Sequence, residues 1–192
     1  MITFEDVHRR IEAIRLITAN PQSLNEKLIL GLANQMLKTL LQGNKIAFVG
    51  NGGSAAEAMH LAAEFTGKCV IDHRPLAAIC LNESQSAITA IANDYGVEHI
   101  FSRQVEALLR KDDLLIGLST SGKSRNIINA LEKASDMGVQ CNLWMGDFEF
   151  STNKKISVWN VPSKSTPRIQ EIHLMWGHIL AELVEEMVNV HD

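Results

Sequence analysis

The sequence predicts an α/β fold in which helices cover both faces of a parallel β-sheet. Short apolar runs that end in glycine or polar residues recur along the chain, which is typical of buried parallel strands. Segments with helical spacing of apolar residues separate these runs, and strands that alternate with helices form parallel sheets. No linker, low-complexity tract or internal repeat interrupts the 192 residues. We therefore expect a single domain over 1–192, with helices used in packing or oligomerisation over 1–43 and an α/β core over 44–192.

Two helices are expected before the first strand. Phe4, Val7, Ile11 and Ile14 recur at steps of three and four, so they form one stripe on a helix. A second helix opens at "NPQSLNEK", shows the same apolar spacing and is stopped by Gly43. Such stripes indicate packing in a core or against another subunit.

The remaining elements follow from a change of period after residue 44. The expected strands are the apolar segments "KIAFVG", "LAAIC", "DLLIGLS", "VQCNLWM" and "ISVWNVP". The expected helices lie at about 55–67, 84–93, 98–110, 124–137 and 168–188. Ligands of parallel α/β sheets bind at the carboxyl ends of the strands, so functional residues are expected in the loops that follow each strand.

Composition excludes several classes of protein. The net charge is −4, so the chain lacks the basic surface of a nucleic-acid-binding protein. The first residues, "MITFEDVHRR", lack a positive segment followed by an apolar run, and the sequence contains no apolar run of about 18 residues, so we expect a soluble, cytoplasmic protein with no membrane partner. Cys69, Cys80 and Cys141 lack C-x-x-C spacing, which favours buried thiols over a zinc knuckle or disulfides.

The loop after the first expected strand is "GNGGSAAEAMHLAAE". Its glycines permit positive φ and close backbone approach, and Ser54 is placed to cap the helix that follows. This arrangement favours an anion or polyol site, although a tight turn needs glycine whatever it binds. His60 and Glu64 are four residues apart and share a helical face. They are an acid/base pair, two metal ligands or a salt-bridged surface pair.

A second loop, "GLSTSGKS" at 117–124, matches the P-loop pattern of nucleotide-binding proteins. Its hydroxyls lie where a strand meets a helix, and free N–H groups there attract an anion. These hydroxyl residues are Ser119, Thr120, Ser121 and Ser124. However, Gly117 lies inside the apolar run "LLIGLS", and Asp147 is the one plausible carboxylate for Mg²⁺. We therefore favour a sugar-phosphate site over a triphosphatase, and Lys123 receives no role.

The last expected helix contains Gln170 and His178, which are about 80° apart around its axis and can share a broad face. Glu171 is nearer in angle to His178, at about 20°. The spacing alone therefore favours Glu171 as the partner of His178, although a lone helix histidine is more often structural than catalytic.

Taken in order, several motifs resemble the phosphoheptose isomerase family of the sugar isomerase (SIS) superfamily. They are "GNGGSAAEAMHLAAE", "AIANDYG", "IFSRQVEAL", "STSGKS" and "TPRIQEIH…GH", and the resemblance spans about 28–186. It implies the SIS fold, a three-layer α/β/α sandwich with a five-stranded parallel sheet. It also implies a homotetramer with active sites at subunit contacts, which would give the N-terminal stripe a use.

The resemblance implies an aldose-ketose isomerase. Members convert sedoheptulose 7-phosphate into D-glycero-D-manno-heptose 7-phosphate through an enediol, the first step towards the ADP-heptose of the lipopolysaccharide core. The implied acid/base pair is Glu64 and His178. The implied ligands of one Zn²⁺ per subunit are His60, Glu64, Gln170 and His178. The implied substrate contacts are Asn51, Gly52, Gly53, Glu64, Asn93, Asp94, Ser119, Thr120, Ser121, Ser124 and Gln170.

The chemistry of such a reaction suits these residue types. A carboxylate such as Glu64 can take the proton next to a carbonyl, and an imidazole such as His178 can serve the oxygen. Three departures from the family pattern are Lys68 and Cys69 after the first motif, the bulky loop 144–155, and Pro167. The alternative is a non-catalytic SIS module that binds a sugar phosphate or a replication-initiator protein, which need not keep the histidine-glutamate pair.

Overall fold

The computed structural model describes residues 2–191 and contains a five-stranded, all-parallel sheet. Its strands are β1 (Ile46–Gly50), β2 (Ala78–Cys80), β3 (Leu114–Leu118), β4 (Gln140–Met145) and β5 (Ile156–Asn160). Their order in the sheet is β2-β1-β3-β4-β5, so β1 and β3 are central neighbours while β2 and β5 form the edges. The five strands expected from the apolar runs are confirmed, although β2 is only three residues long.

Seven α-helices accompany the strands in the described part of the chain. They are α1 (Phe4–Thr18), α2 (Glu26–Leu41), α3 (Gly53–Thr66), α4 (Gln85–Tyr95), α5 (Ser102–Leu108), α6 (Arg125–Asp136) and α7 (Thr166–His191). The expected helix over 98–110 is wrong in extent. A 3₁₀ turn at Val97–His99 follows Gly96, whose φ of 96° breaks the helical path, and α5 begins only after the buried Phe101. None of the helices described is long and apolar enough to span a membrane.

Successive side chains of a strand point to opposite faces of the sheet, so they enter two separate cores. Ile46 and Phe48 pack on one face with α2, α3 and α7, whereas Ala47 and Val49 pack on the other face with α5 and α6. Helices thus cover both faces, and the predicted three-layer α/β/α architecture is confirmed.

Helix α1 contributes little to either core. Ile17 is its one buried residue, whereas the stripe predicted from its spacing faces outward, with Phe4 88% and Val7 48% exposed. The stripe therefore does not pack inside the chain. Its use in contacts between subunits stays a prediction.

Candidate active site

Two loops lie side by side at the carboxyl edge of the sheet because β1 and β3 pair along their whole length. The loop after β1 carries Asn51, and the helix after β3 carries Asn126. Their side-chain amides exchange two hydrogen bonds, of 2.8 and 3.0 Å. Residues that are 75 positions apart thus form one polar surface, as the fold class predicts for this edge.

The first loop turns sharply into α3. Gly52 has a φ of 56°, in the region that favours glycine, and it caps α3 without a side chain. A Cβ on Gly50 would lie 2.3 Å from the carbonyl oxygen of Ser54, so this position also needs glycine. The expected capping role of Ser54 is wrong because the helix begins one residue before it. Its hydroxyl lies buried in the first turn instead, 3.4 Å from Nε2 of Gln170.

Three of the predicted functional side chains meet where α3 runs alongside α7. Nε2 of His60 lies 2.8 Å from Nε2 of His178 and 3.3 Å from Oε1 of Glu64. We call these three residues the His–Glu–His cluster. The helices approach closely here because Gly177 has no side chain, and a Cβ there would lie 2.1 Å from Cδ2 of Leu61.

The partner that spacing favours for His178, Glu171, is wrong. Glu171 forms an ion pair with Arg168 one turn away on α7. Gln170 starts about 12 Å before His178 along the helix axis, and its amide reaches the beginning of α3 at Gly53 and Ser54. The partner of His178 within the chain is His60, from the other helix. Gln170 as a fourth metal ligand stays a prediction.

The donor set of the His–Glu–His cluster fits a transition-metal ion. One ligand atom from each of its three residues can be chosen so that all lie within 4.8 Å of one another. Two imidazoles and a carboxylate are ligands that zinc takes readily, at about 2.0–2.2 Å. Tetrahedral geometry at such lengths separates two nitrogens by roughly 3.4 Å, slightly more than the observed 2.8 Å. The two imidazole nitrogens would therefore have to separate slightly to hold an ion, and the exposure of His60 would let an outside ligand reach it.

The second loop has the features expected of an anion site. Gly122, with a φ of 64°, closes a turn by donating its N–H to the carbonyl of Ser119 at 2.9 Å. The hydroxyl of Ser124, at the N-cap of α6, makes no capping hydrogen bond and instead accepts from Ser119 at 3.2 Å. The N–H groups of Arg125 and Asn126, the first two of α6, thus keep their capacity to bind an anion, whereas the N–H of Ile127 already donates to the carbonyl of Ser124 and to Oδ1 of Asn126.

The P-loop match has a structural explanation unrelated to nucleotides. Gly117 lies inside β3, as predicted, where α6 packs closely: a Cβ there would lie 3.1 Å from side-chain methyl groups of Ile127 and Leu131. The carboxylate of Asp147 is exposed, and its backbone N–H donates to the carbonyl of Ser163. Neither residue is arranged as phosphate-loop chemistry requires.

Asn93 and Asp94 are not gathered with these groups. They lie exposed near the end of α4 and are joined to each other by a hydrogen bond of 2.8 Å. Helix α4 contains no buried residue. Their role as substrate contacts stays a prediction, and it fits a site that another subunit completes.

Glu57 is a candidate that the sequence reasoning missed. It lies one turn before His60 on α3, and its Oε2 is buried without a hydrogen-bond partner in the described residues. Burial raises the pKa of this carboxyl to about 7, although a hydrogen bond with the hydroxyl of Ser54 lowers it in part. The sequence could have indicated Glu57, because Glu57, His60 and Glu64 have the i, i+3, i+7 spacing of residues on one helical face.

A second missed feature fixes the segment that follows α3. The buried carboxylate of Glu185 accepts hydrogen bonds from the N–H groups of Cys69, Val70 and Ile71 and contacts Nε2 of His73 at 3.0 Å. We call this arrangement the Glu185 clamp. Burial, together with the hydrogen bond and the negative charge of Glu64, raises the pKa of the Cys69 thiol to about 12. The thiol is therefore protonated at neutral pH. The prediction of buried thiols is confirmed for Cys80 and Cys141, whereas Cys69 is only partly buried.

Comparison with known proteins places the chain in a family. A model described as SIS domain matches residues 11–141. The phosphoheptose isomerase of Helicobacter pylori (strain P12) is 48% identical over 152 residues, which cover 78% of this chain and 79% of that protein. The chain belongs to the phosphoheptose isomerase family. The member from Aquifex aeolicus (strain VF5) is 46% identical over 165 residues, covering 83% of this chain and 84% of the relative.

Solved structures of phosphoheptose isomerases agree with the fold. The one from Neisseria gonorrhoeae has a TM-score of 0.84 and 35% identity, covering 95% of this chain and 98% of its own. The one from Francisella tularensis has a TM-score of 0.88 and 29% identity, covering 97% and 100%. The five-stranded SIS fold predicted for the chain is thus confirmed, and these relatives lend no support to the non-catalytic alternative.

Proposed function

We propose that the chain is an isomerase that converts sedoheptulose 7-phosphate into D-glycero-D-manno-heptose 7-phosphate, the first step towards ADP-heptose. The observation that carries the proposal is the His–Glu–His cluster, which joins the helix of the first glycine-rich loop to α7. A phosphate-binding SIS module has no need of a carboxylate and two imidazoles within 4.8 Å of one another.

Aldose-ketose isomerisation moves one proton between neighbouring carbons and another between their oxygens. In our proposal Glu64 takes the proton from the carbon next to the carbonyl, which leaves an enediol, and returns it to the neighbouring carbon. His178 carries the proton at oxygen. A bound Zn²⁺ at the His–Glu–His cluster would supply polarisation of the substrate oxygens.

The phosphate is assigned to the second loop. Hydroxyls and N–H groups of Ser119, Thr120, Ser121 and Ser124 surround the start of α6, where the helix dipole favours a negative charge. Asn51, Gly52, Gly53 and Gln170 line the adjacent first loop and are assigned to the sugar. Support for these assignments comes from the convergence of both loops on one edge of the sheet.

We further propose that the active protein is a cytoplasmic homotetramer with one Zn²⁺ per subunit, ligated by the cluster and Gln170. Two features support assembly. The apolar stripe of α1 is exposed, and α4 presents Asn93 and Asp94 on a helix without a buried residue.

The deciding experiment follows sedoheptulose 7-phosphate by NMR with purified protein. We expect aldose product from the wild type and a loss of about 10²–10⁴-fold or more in kcat for Glu64→Gln, since a general base is removed. Glu186→Gln, an exposed neutralisation on α7, serves as the matched control. Absence of turnover by the wild type, with and without added Zn²⁺, would reject the isomerase. Turnover that a chelator leaves unchanged would remove zinc from the proposal and leave the isomerase standing.

A further inference from the structure

Three loops are joined to one another beside the proposed phosphate site. The N–H of Gly146, after β4, donates to the carbonyl of Thr120 at 3.0 Å. The next N–H, of Asp147, donates at 2.8 Å to the carbonyl of Ser163, after β5. A Cβ on Gly146 would lie within 2.9 Å of both carbonyl oxygens. The loops after β3, β4 and β5 are therefore fixed relative to one another.

This junction brings two lysines to one aromatic ring. Phe148 is partly buried and packs against both hydrophobic cores, so its ring is held in place. Nζ of Lys123, from the loop after β3, lies 6.0 Å from the ring centroid, and so does Nζ of Lys164, from the loop after β5. Both distances are at the outer limit of cation–π attraction, and the two ammonium groups are at most about 12 Å apart.

Both lysines carry uncompensated charge. Within residues 2–191, neither ammonium group has a carboxylate within 4.0 Å, and neighbouring Asp147 and Glu149 form no ion pair with them. Both side chains are exposed. Lys123 directly precedes Ser124, the N-cap of α6, so one of the two charges belongs to the loop assigned to phosphate.

The proposed phosphate loop needs such charges. Its other donors are hydroxyls and backbone N–H groups, which are neutral, whereas a phosphate monoester carries nearly two negative charges at neutral pH. The chain as a whole has a net charge of −4, which disfavours the approach of a dianion. Local cations beside the loop would offset both effects.

We propose that Lys123 and Lys164, whose ammonium groups both lie 6.0 Å from the centroid of the Phe148 ring, form a cationic wall that captures the phosphate dianion of the substrate and selects phosphorylated over unphosphorylated sugars. This inference rests on the proposed isomerase function. It assigns Lys123 a role that the sequence did not, and it gives the bulky loop 144–155 a use, since that loop supplies the ring.

The test compares Lys123→Met, Lys164→Met and the double variant with the wild type. Each single variant should raise KM about three- to ten-fold with kcat unchanged, because exposed charge pairs are weak and the contact exists before and during the reaction. The double variant should also flatten the dependence of kcat/KM on ionic strength. Lys38→Met removes an equal exposed charge from the end of α2 and should leave both quantities unchanged.

A second measurement, of phosphate affinity, distinguishes failure of the cationic-wall proposal from failure of the isomerase proposal. Affinity for inorganic phosphate, measured by calorimetry at low salt, should fall in the single variants and fall further in the double variant, whether or not the wild type turns over heptose. Phe148→Leu should give a loss similar to one lysine. Unchanged phosphate affinity in the double variant, or an effect no larger than that of Lys38→Met, would overturn the proposal.

Discussion

Replacing Glu185 by glutamine tests whether the clamp on the segment after α3 stabilises the fold. Its carboxylate is buried, and its two oxygens have different hydrogen-bond partners. Oε1 accepts from the N–H of Cys69 and contacts Nε2 of His73, whereas Oε2 accepts from the N–H groups of Val70 and Ile71. Glutamine keeps one oxygen and turns the other into an NH₂ group. Whichever way the amide points, its NH₂ group then faces at least one backbone N–H group, so two hydrogen-bond donors oppose each other.

The magnitude follows from these contacts. Two charge-assisted hydrogen bonds are lost, each worth about 1.5–3 kcal/mol, but Val70 and Ile71 are exposed and their N–H groups can recover water. We expect a loss of about 3 kcal/mol, the low end for a broken buried ion pair. In a chain of 192 residues this corresponds to a decrease in Tm of about 6–12 °C.

The pH dependence gives a second signature. Burial raises the pKa of Glu185, but hydrogen bonds from Cys69, Ile71 and Val70 and the charge of His73 outweigh it and hold the pKa below the ordinary value of 4.5. The stabilisation is therefore present in full above pH 4.5 and is lost as the pH falls through the lowered pKa. The gap in stability between wild type and Glu185→Gln should narrow in acid.

Thermal unfolding at a fixed protein concentration, at pH 7 and in steps below pH 4.5, measures both effects. Glu186→Gln is the matched control because Glu186 is the exposed neighbour on the same helix. Equal Tm values for the two variants at pH 7, or a gap that stays constant in acid, would refute the reasoning.

Two further predictions concern α7 and its packing. Gly177→Ala should lower stability by about 1–3 kcal/mol, since its Cβ would overlap the buried Leu61, whereas Gly31→Ala has open space on α2 and should raise stability by up to about 1 kcal/mol. Thermal unfolding of the two variants tests this prediction, and stabilisation by both substitutions would contradict the close contact between α3 and α7. Burial lowers the pKa of His173 to about 3 from 6.5, so the unfolded chain takes up a proton over this range and the folded chain does not. Wild-type stability should therefore fall as the pH drops from 6.5 to 3, less steeply in His173→Phe, and equal slopes would argue against a neutral buried ring.

Local patterns in the sequence predicted the parts of the fold that depend on local periodicity. Apolar runs marked all five strands, and Gly117 was placed correctly in β3 because apolar residues surround it. The pair His60 and Glu64 was visible from a spacing of four, and its confirmed proximity depends on one helix alone.

Contacts between distant segments could not be found in this way. Spacing on α7 favoured Glu171 as the partner of His178, but the packing of α3 on α7 supplied His60 instead, 118 positions away. Glu185 lies 114 to 116 positions from the backbone that it holds, and its helical spacing is that of any core-facing residue. The start of α5 was misjudged because a 3₁₀ turn and a buried phenylalanine interrupt a run of good helix formers.

The edges of the sheet constrain how copies of the chain can associate. An exposed strand edge can pair with the edge of another molecule and so lead to aggregation, and proteins limit this risk with short or charged edges. Here β2 ends one side after three residues. On the other side, Lys154 and Lys155 stand directly before β5, and Lys154 is paired with Asp136. Sheet extension is therefore disfavoured at both ends, and the outer surface left for contacts between copies is formed mainly by helices and loops.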